Sequence, residues 1–187
     1  MLTIPNLLTL LRLLLVPVFL LASMQGMYRL AFVVFVSAAI TDILDGMIAR
    51  RLNQRSRLGA FLDPAADKLL MVSGYLFYTF AHLPEVQLPG WLTFTVLIRD
   101  VLIVAFAYLL YTRVQVQRFP PTLAGKASTV LQAVNLALVI AVNAFAPQWL
   151  MHAHLMFRVT LVVTLISAVD YMRRADRLLD DGVSAHA

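Results

Sequence analysis

The chain has no cysteine among its 187 residues, which excludes disulfides, a thiolate nucleophile and any zinc–thiolate site. Charge is scarce as well. Asp, Glu, Lys and Arg make up 13% of the sequence, where an ordinary soluble domain carries about 25%. Strand-like alternation, low-complexity tracts and obvious internal repeats are also missing. A soluble globular enzyme, a disordered tail and a solvated coiled coil all fit such a composition poorly. What fills the sequence instead is apolar: 61% of residues, with a mean hydropathy of +0.82. The class that remains is an all-α integral membrane protein.

Six apolar stretches approach the length of about 20 residues that a membrane-crossing helix needs. They run Asn6–Met24, Tyr28–Ala49, Pro64–His82, Trp91–Thr112, Lys126–Ala146 and Trp149–Met172. Short connections between them predict a single domain over residues 1–187, a six-helix transmembrane bundle. Arg12 interrupts the first stretch and no small-x-small cleavage site follows it, so this stretch reads as a membrane helix rather than a signal peptide.

The few charges are unevenly placed. Fifteen Lys and Arg against ten Asp and Glu give a net charge of +5. In a soluble protein that excess would point to nucleic acid; between apolar runs it points to orientation and to contact with anionic membrane lipids. Arg50, Arg51, Arg55 and Arg57 follow the second stretch, Arg113, Arg118 and Lys126 follow the fourth, and Arg173, Arg174 and Arg177 follow the sixth. The opposite side carries one Lys or Arg, Arg29, and then only Glu85. Both termini are therefore expected to face the cytoplasm, in a bacterial inner membrane.

Charged groups inside apolar helices are costly, so each needs a reason. Asp42 and Asp45 are three residues apart near the end of the second stretch, and Asp63 and Asp67 are four apart at the start of the third. Either spacing puts both carboxylates on one helix face. The arginine-rich connection joins the two helices as a hairpin, which predicts four carboxylates at one depth. Four such charges repel strongly unless cations neutralise them or protons bind. An all-oxygen set without His or Cys suits hard ions such as Mg²⁺ or Mn²⁺. The competing reading is a structural cluster neutralised by the neighbouring arginines.

Written out, the pattern is Asp42-x2-Asp45-Gly46-x2-Ala49-Arg50-x8-Gly59-x3-Asp63-x3-Asp67. A chance match at its specified positions has a frequency on the order of 10⁻¹⁰ per starting point. The pattern resembles the signature of the CDP-alcohol phosphatidyltransferase family at every specified position. The opening Ile4-Pro5-Asn6-Leu7-Leu8-Thr9, with Arg12 and Pro17 after it, resembles the branch of phosphatidylglycerophosphate synthases and eukaryotic-type cardiolipin synthases.

The resemblance implies transfer of the phosphatidyl group of CDP-diacylglycerol to an alcohol, with release of CMP. It implies two divalent cations, one held by Asp42, Asp45 and Asp63 and the other by Asp42, Asp63 and Asp67, with Asp67 also the general base. Gly46 and Gly59 then fit as places where a side chain would block the nucleotide. Arg50 supplies planar donors for the diphosphate, which Lys would not reproduce. Ser56, Pro5 and Asn6 are implied CDP contacts, and a homodimer is a common family state. The active site is expected on the cytoplasmic side.

Arg99, Lys126 and Arg118 are candidates for the acceptor pocket, although Arg99 reads equally well as half of an internal pair with Asp100. Phosphatidylglycerophosphate synthases tend to carry a lysine where this chain has Ser128, which leans the acceptor toward phosphatidylglycerol rather than the dianion glycerol 3-phosphate. The alternative class is an ion- or proton-coupled transporter. That class expects acids spread over several helices near the midplane and a repeated half; here four acids fall on one hairpin.

Overall fold

The computed structural model describes residues 4–52, 57–114 and 122–184, with side chains over 10–42, 68–109, 112, 122–174, 176 and 177. Six long helices account for nearly all of it: α1 (Ile4–Met24), α2 (Tyr28–Leu52), α3 (Arg57–Phe80), α4 (Gly90–Val114), α5 (Leu123–Ala144) and α6 (Leu150–Ser184). A single 3-10 turn at Pro147–Trp149 precedes α6, and no strand occurs among the described residues.

The helices follow the expected apolar stretches, leaving out only their ends at His82, Ala146 and Trp149, and run past them at the basic ends. Arg50 and Arg51, expected in a connection, lie in α2; Arg57 opens α3; Arg113 lies in α4; and Arg173, Arg174 and Arg177 continue α6. Apolar content marks where a helix can sit in hydrocarbon, whereas arginine and leucine sustain helix geometry beyond that zone. The basic residues are therefore helix ends more than loops.

Among the described residues, three stretches are long and apolar enough to cross a bilayer: Gly90–Leu109, Leu123–Ala144 and Pro147–Arg174. Leu10–Met24 is a shorter apolar helix. The distribution of side chains points the same way. Val101 and Val104 are each 68% exposed, while Ser128, Asn135, Thr160, Thr164 and Ser167 are fully buried. Apolar outside and polar inside reverses the pattern of a water-soluble bundle.

By packing, the chain divides into two compact units, residues 1–87 with 136–151 and residues 88–135 with 152–187. In the first, α1 packs against both α2 and α3. Phe19 is central to this packing, with ring centroids 5.8 Å from Phe35 and 6.2 Å from Tyr78. The Ser23 hydroxyl donates to the Phe19 carbonyl at 2.8 Å and lies 3.2 Å from the Tyr78 hydroxyl. Gly74 lets α3 come close, since a Cβ there would stand 2.6 Å from Leu136 Cδ2.

Gly26 ends the α1 connection at φ +71, a conformation that needs no Cβ. Its N–H donates to Ser23 and that of Met27 to Ala22, which closes the helix end as a Schellman turn.

Asn143 does more than join helices. Its Oδ1 accepts from the backbone N–H groups of Glu85 and Val86, and its Nδ2 donates to the Val86 and Val139 carbonyls, both at 2.8 Å. One side chain thus fixes the connection after α3 onto α5. Asn143→Ala is expected to cost about 1–3 kcal/mol by stranding these groups. A lowered thermal midpoint of the purified protein in detergent is the check.

Candidate active site

The acidic motif is carried by two helices of the first unit. Asp42, Asp45, Gly46 and Arg50 belong to α2, and Gly59, Asp63 and Asp67 belong to α3. At about 100° per residue, Gly59, Asp63 and Asp67 fall on one face of α3, and Asp42, Asp45 and Gly46 on one face of α2. Starting α3 at Arg57 rather than Pro64 puts Gly59 and Asp63 inside the helix, which makes that register continuous. Pro5 and Asn6 lie in the first turn of α1, where proline is tolerated because its missing N–H would have no helical partner. The side chains of these residues, Asp42 excepted, are outside the described set, as are Ser56 and Arg118 altogether. Among the described residues no three His, Cys, Asp or Glu side chains converge as metal ligands.

Asp42 is the described member of the acidic set, and it has a partner that motif reading passed over. Arg12 of α1 is 1% exposed and places Nη1 3.2 Å from Asp42 Oδ1, while the Asp42 carboxylate stays 45% exposed. A guanidinium inside an apolar helix is tolerated when a carboxylate meets it at the same depth. That requirement was a usable signal: Arg12 is the charge that breaks the first apolar stretch. The arrangement holds Asp42 from one side and leaves carboxylate surface open to another ligand. An all-oxygen donor of this kind suits a hard divalent cation, so Asp42 fits the metal the motif implies.

Arg99 sits in the second unit, 5% exposed and heavily bonded. Nη2 donates to Ser167 Oγ at 2.8 Å and to the Gly125 carbonyl at 3.3 Å, Nη1 donates to Asp100 Oδ1 at 2.9 Å, and the group lies 5.7 Å from the Tyr171 ring centroid. Gly125 makes this approach feasible, because a Cβ there would stand 2.8 Å from Tyr171 Cε2. Lys126, next along α5, is exposed. Below Arg99 runs a polar seam. Ser128 Oγ lies 3.1 Å from Thr164 Oγ1, Gln132 Nε2 donates to both, and Asn135 Nδ2 donates to Thr160 Oγ1 at 3.3 Å. Ser128 is thus a neutral hydroxyl enclosed by its neighbours.

These features define a helical protein with an aspartate motif on two consecutive helices and an arginine braced against its first carboxylate. The chain belongs to the CDP-alcohol phosphatidyltransferase family, whose model matches residues 2–167. It is 32% identical over 179 residues to the Aquifex aeolicus CDP-diacylglycerol–glycerol-3-phosphate 3-phosphatidyltransferase, covering 94% of this chain and 97% of that one. It is also 32% identical over 185 residues to the human cardiolipin synthase (CMP-forming), covering 90% of this chain. A Mycobacterium bovis relative is 40% identical over 131 residues, 68% of this chain. The chain spans 60% of the human relative's length and 59% of the mycobacterial one's.

Proposed function

We propose that the chain transfers the phosphatidyl group of CDP-diacylglycerol to an alcohol, with Asp42, Asp45, Asp63 and Asp67 holding two divalent cations, Mg²⁺ or Mn²⁺, in a six-span membrane bundle whose active site and termini face the cytoplasm. The observation that carries this reading is the complete aspartate motif in helical register on α2 and α3, with Asp42 gripped by Arg12. When bound, the cation pair offsets the charge that builds on the phosphoryl oxygens during transfer. Arg50 lies one turn from Gly46 on α2, in register to supply a fork of donors to the diphosphate. Gly46 and Gly59 leave room for the nucleotide backbone-side. Asp67 accepts the acceptor's hydroxyl proton as that oxygen bonds to the phosphatidyl phosphorus, and the bond from that phosphorus to the CMP oxygen breaks. CMP leaves with the bonding electrons.

For the acceptor, the neutral, enclosed Ser128 favours phosphatidylglycerol, giving cardiolipin. The second reading is glycerol 3-phosphate, favoured by the near full-length match to the Aquifex aeolicus relative. Arg99 has its donors engaged by Ser167, Gly125 and Asp100, which leaves Lys126 as the more accessible cation for the acceptor. Purified protein given CDP-diacylglycerol, Mg²⁺ and each alcohol in turn distinguishes the two. Cardiolipin formed from phosphatidylglycerol supports the first reading; phosphatidylglycerophosphate formed only from glycerol 3-phosphate selects the second.

Arg12 acts through Asp42 and not on substrate. Arg12→Met is expected to weaken Mn²⁺ affinity by about 10–100-fold, the usual effect of removing a group that orients a metal ligand. Arg12→Lys, which keeps the charge but loses the planar fork, is expected to recover only part of it. Manganese titration monitored by electron paramagnetic resonance gives both values, and wild-type affinity in Arg12→Met would remove Arg12 from this role.

A further inference from the structure

Two cavities adjoin along one edge of the second unit, and neither is used by the chemistry above. The first, about 570 Å³, is lined by Thr122 and Ala124 at the start of α5 and by Asp170, Arg173, Arg174 and Arg177 of α6. The second, about 550 Å³, shares Ala124, Asp170 and Arg173 with the first and continues along Leu165, Ile166 and Val169. The two are opposite in character. One carries three arginines against one aspartate, and the other is walled by apolar side chains that are 41–55% exposed.

Their depth is informative. Helices α5 and α6 run antiparallel, as the pairs Ser128–Thr164 and Asn135–Thr160 show. The membrane-crossing stretch of α5 begins at Leu123 and that of α6 ends at Arg174. The arginine cavity therefore lies where both helices leave the apolar zone, at headgroup level, and the apolar groove descends from it. Arginines placed only to orient a helix need no groove beneath them.

We propose that this α5–α6 edge is a binding site for an anionic phospholipid. The headgroup phosphate occupies the cavity of Arg173, Arg174 and Arg177, and an acyl chain lies along Leu165, Ile166 and Val169. Planar guanidinium forks pair with phosphate oxygens in two-bond geometry, and the first turn of α5 adds the positive end of its dipole. Asp170 lies three positions before Arg173 and four before Arg174, in reach to steer them and to disfavour a second anion.

The test uses a tryptophan reporter, Ile166→Trp, in a chain whose own Trp91 and Trp149 are Phe. It is reconstituted in phosphatidylcholine bilayers with brominated lipids as quenchers. Brominated phosphatidic acid is the anionic probe; because it has no transferable hydroxyl, the result is independent of the proposed reaction. The expected preference for phosphatidic acid over phosphatidylcholine is about fivefold or more, the effect of one arginine at an anionic surface. Arg173→Gln with Arg174→Gln and Arg177→Gln is expected to bring the ratio to about one while quenching by brominated phosphatidylcholine persists, which shows the helix still embedded. Excess glycerol 3-phosphate is expected to leave the quenching unchanged. Equal quenching by both lipids, a preference that survives the triple substitution, or displacement by free glycerol 3-phosphate each overturns the proposal.

Discussion

Asp67→Asn is expected to lower CMP release by about 10²–10⁴-fold, the usual contribution of a positioned general base. Asparagine keeps the size and one oxygen of the side chain but cannot take up the acceptor's proton. It lies on α3 one turn after Asp63, so the helix and the remaining motif carboxylates are unaltered by the change. Binding of CDP-diacylglycerol should therefore remain measurable while turnover collapses. The experiment pairs nucleotide binding with single-turnover CMP release. Near-normal turnover would remove Asp67 from the role of base.

Asp42→Ala is expected to act differently, by removing metal affinity and CDP-lipid binding together. Asp42 is implied as a ligand to both cations, and it is also the carboxylate that meets the buried Arg12 guanidinium at 3.2 Å. Alanine therefore takes away a ligand and strands a charge that is 1% exposed. Breaking a buried pair by deleting one partner typically costs about 3–5 kcal/mol; the 45% exposure of Asp42 puts the expected loss at the lower end of that range. Chelator-controlled titrations should show the lost affinity, and a thermal scan the lower stability. Binding equal to the wild type contradicts the ligand role. Because Asp67→Asn leaves binding intact and Asp42→Ala removes it, the pair of variants separates proton transfer from metal holding.

Much of the fold was legible because hydrocarbon imposes so simple a rule. Helices that must satisfy their own backbone leave long apolar runs, and six runs became six helices. The boundaries were less legible at the basic ends. Hydropathy drops at Arg50 and Arg173, but nothing there breaks a helix, so α2 and α6 continue through them. The motif was legible as spacing, since Asp42, Asp45, Asp63 and Asp67 are separated by helical steps. Partnerships between distant residues were not. Arg12 meets Asp42 across 30 positions, and Arg99 meets Ser167 across 68. Such pairs depend on which helices pack together, and periodicity within one helix carries no record of that. Asn143 teaches the same lesson, because glue between helices and a clamp on a connection look alike in sequence.

The two-cation cradle on α2 and α3 is the claim on which the rest depends. Manganese stoichiometry measured by electron paramagnetic resonance on the purified protein with CDP present tests it most directly. The account predicts two Mn²⁺ per chain whose spectra show mutual coupling, with binding abolished in Asp42→Ala. A single uncoupled Mn²⁺, or binding that persists in Asp42→Ala, contradicts it.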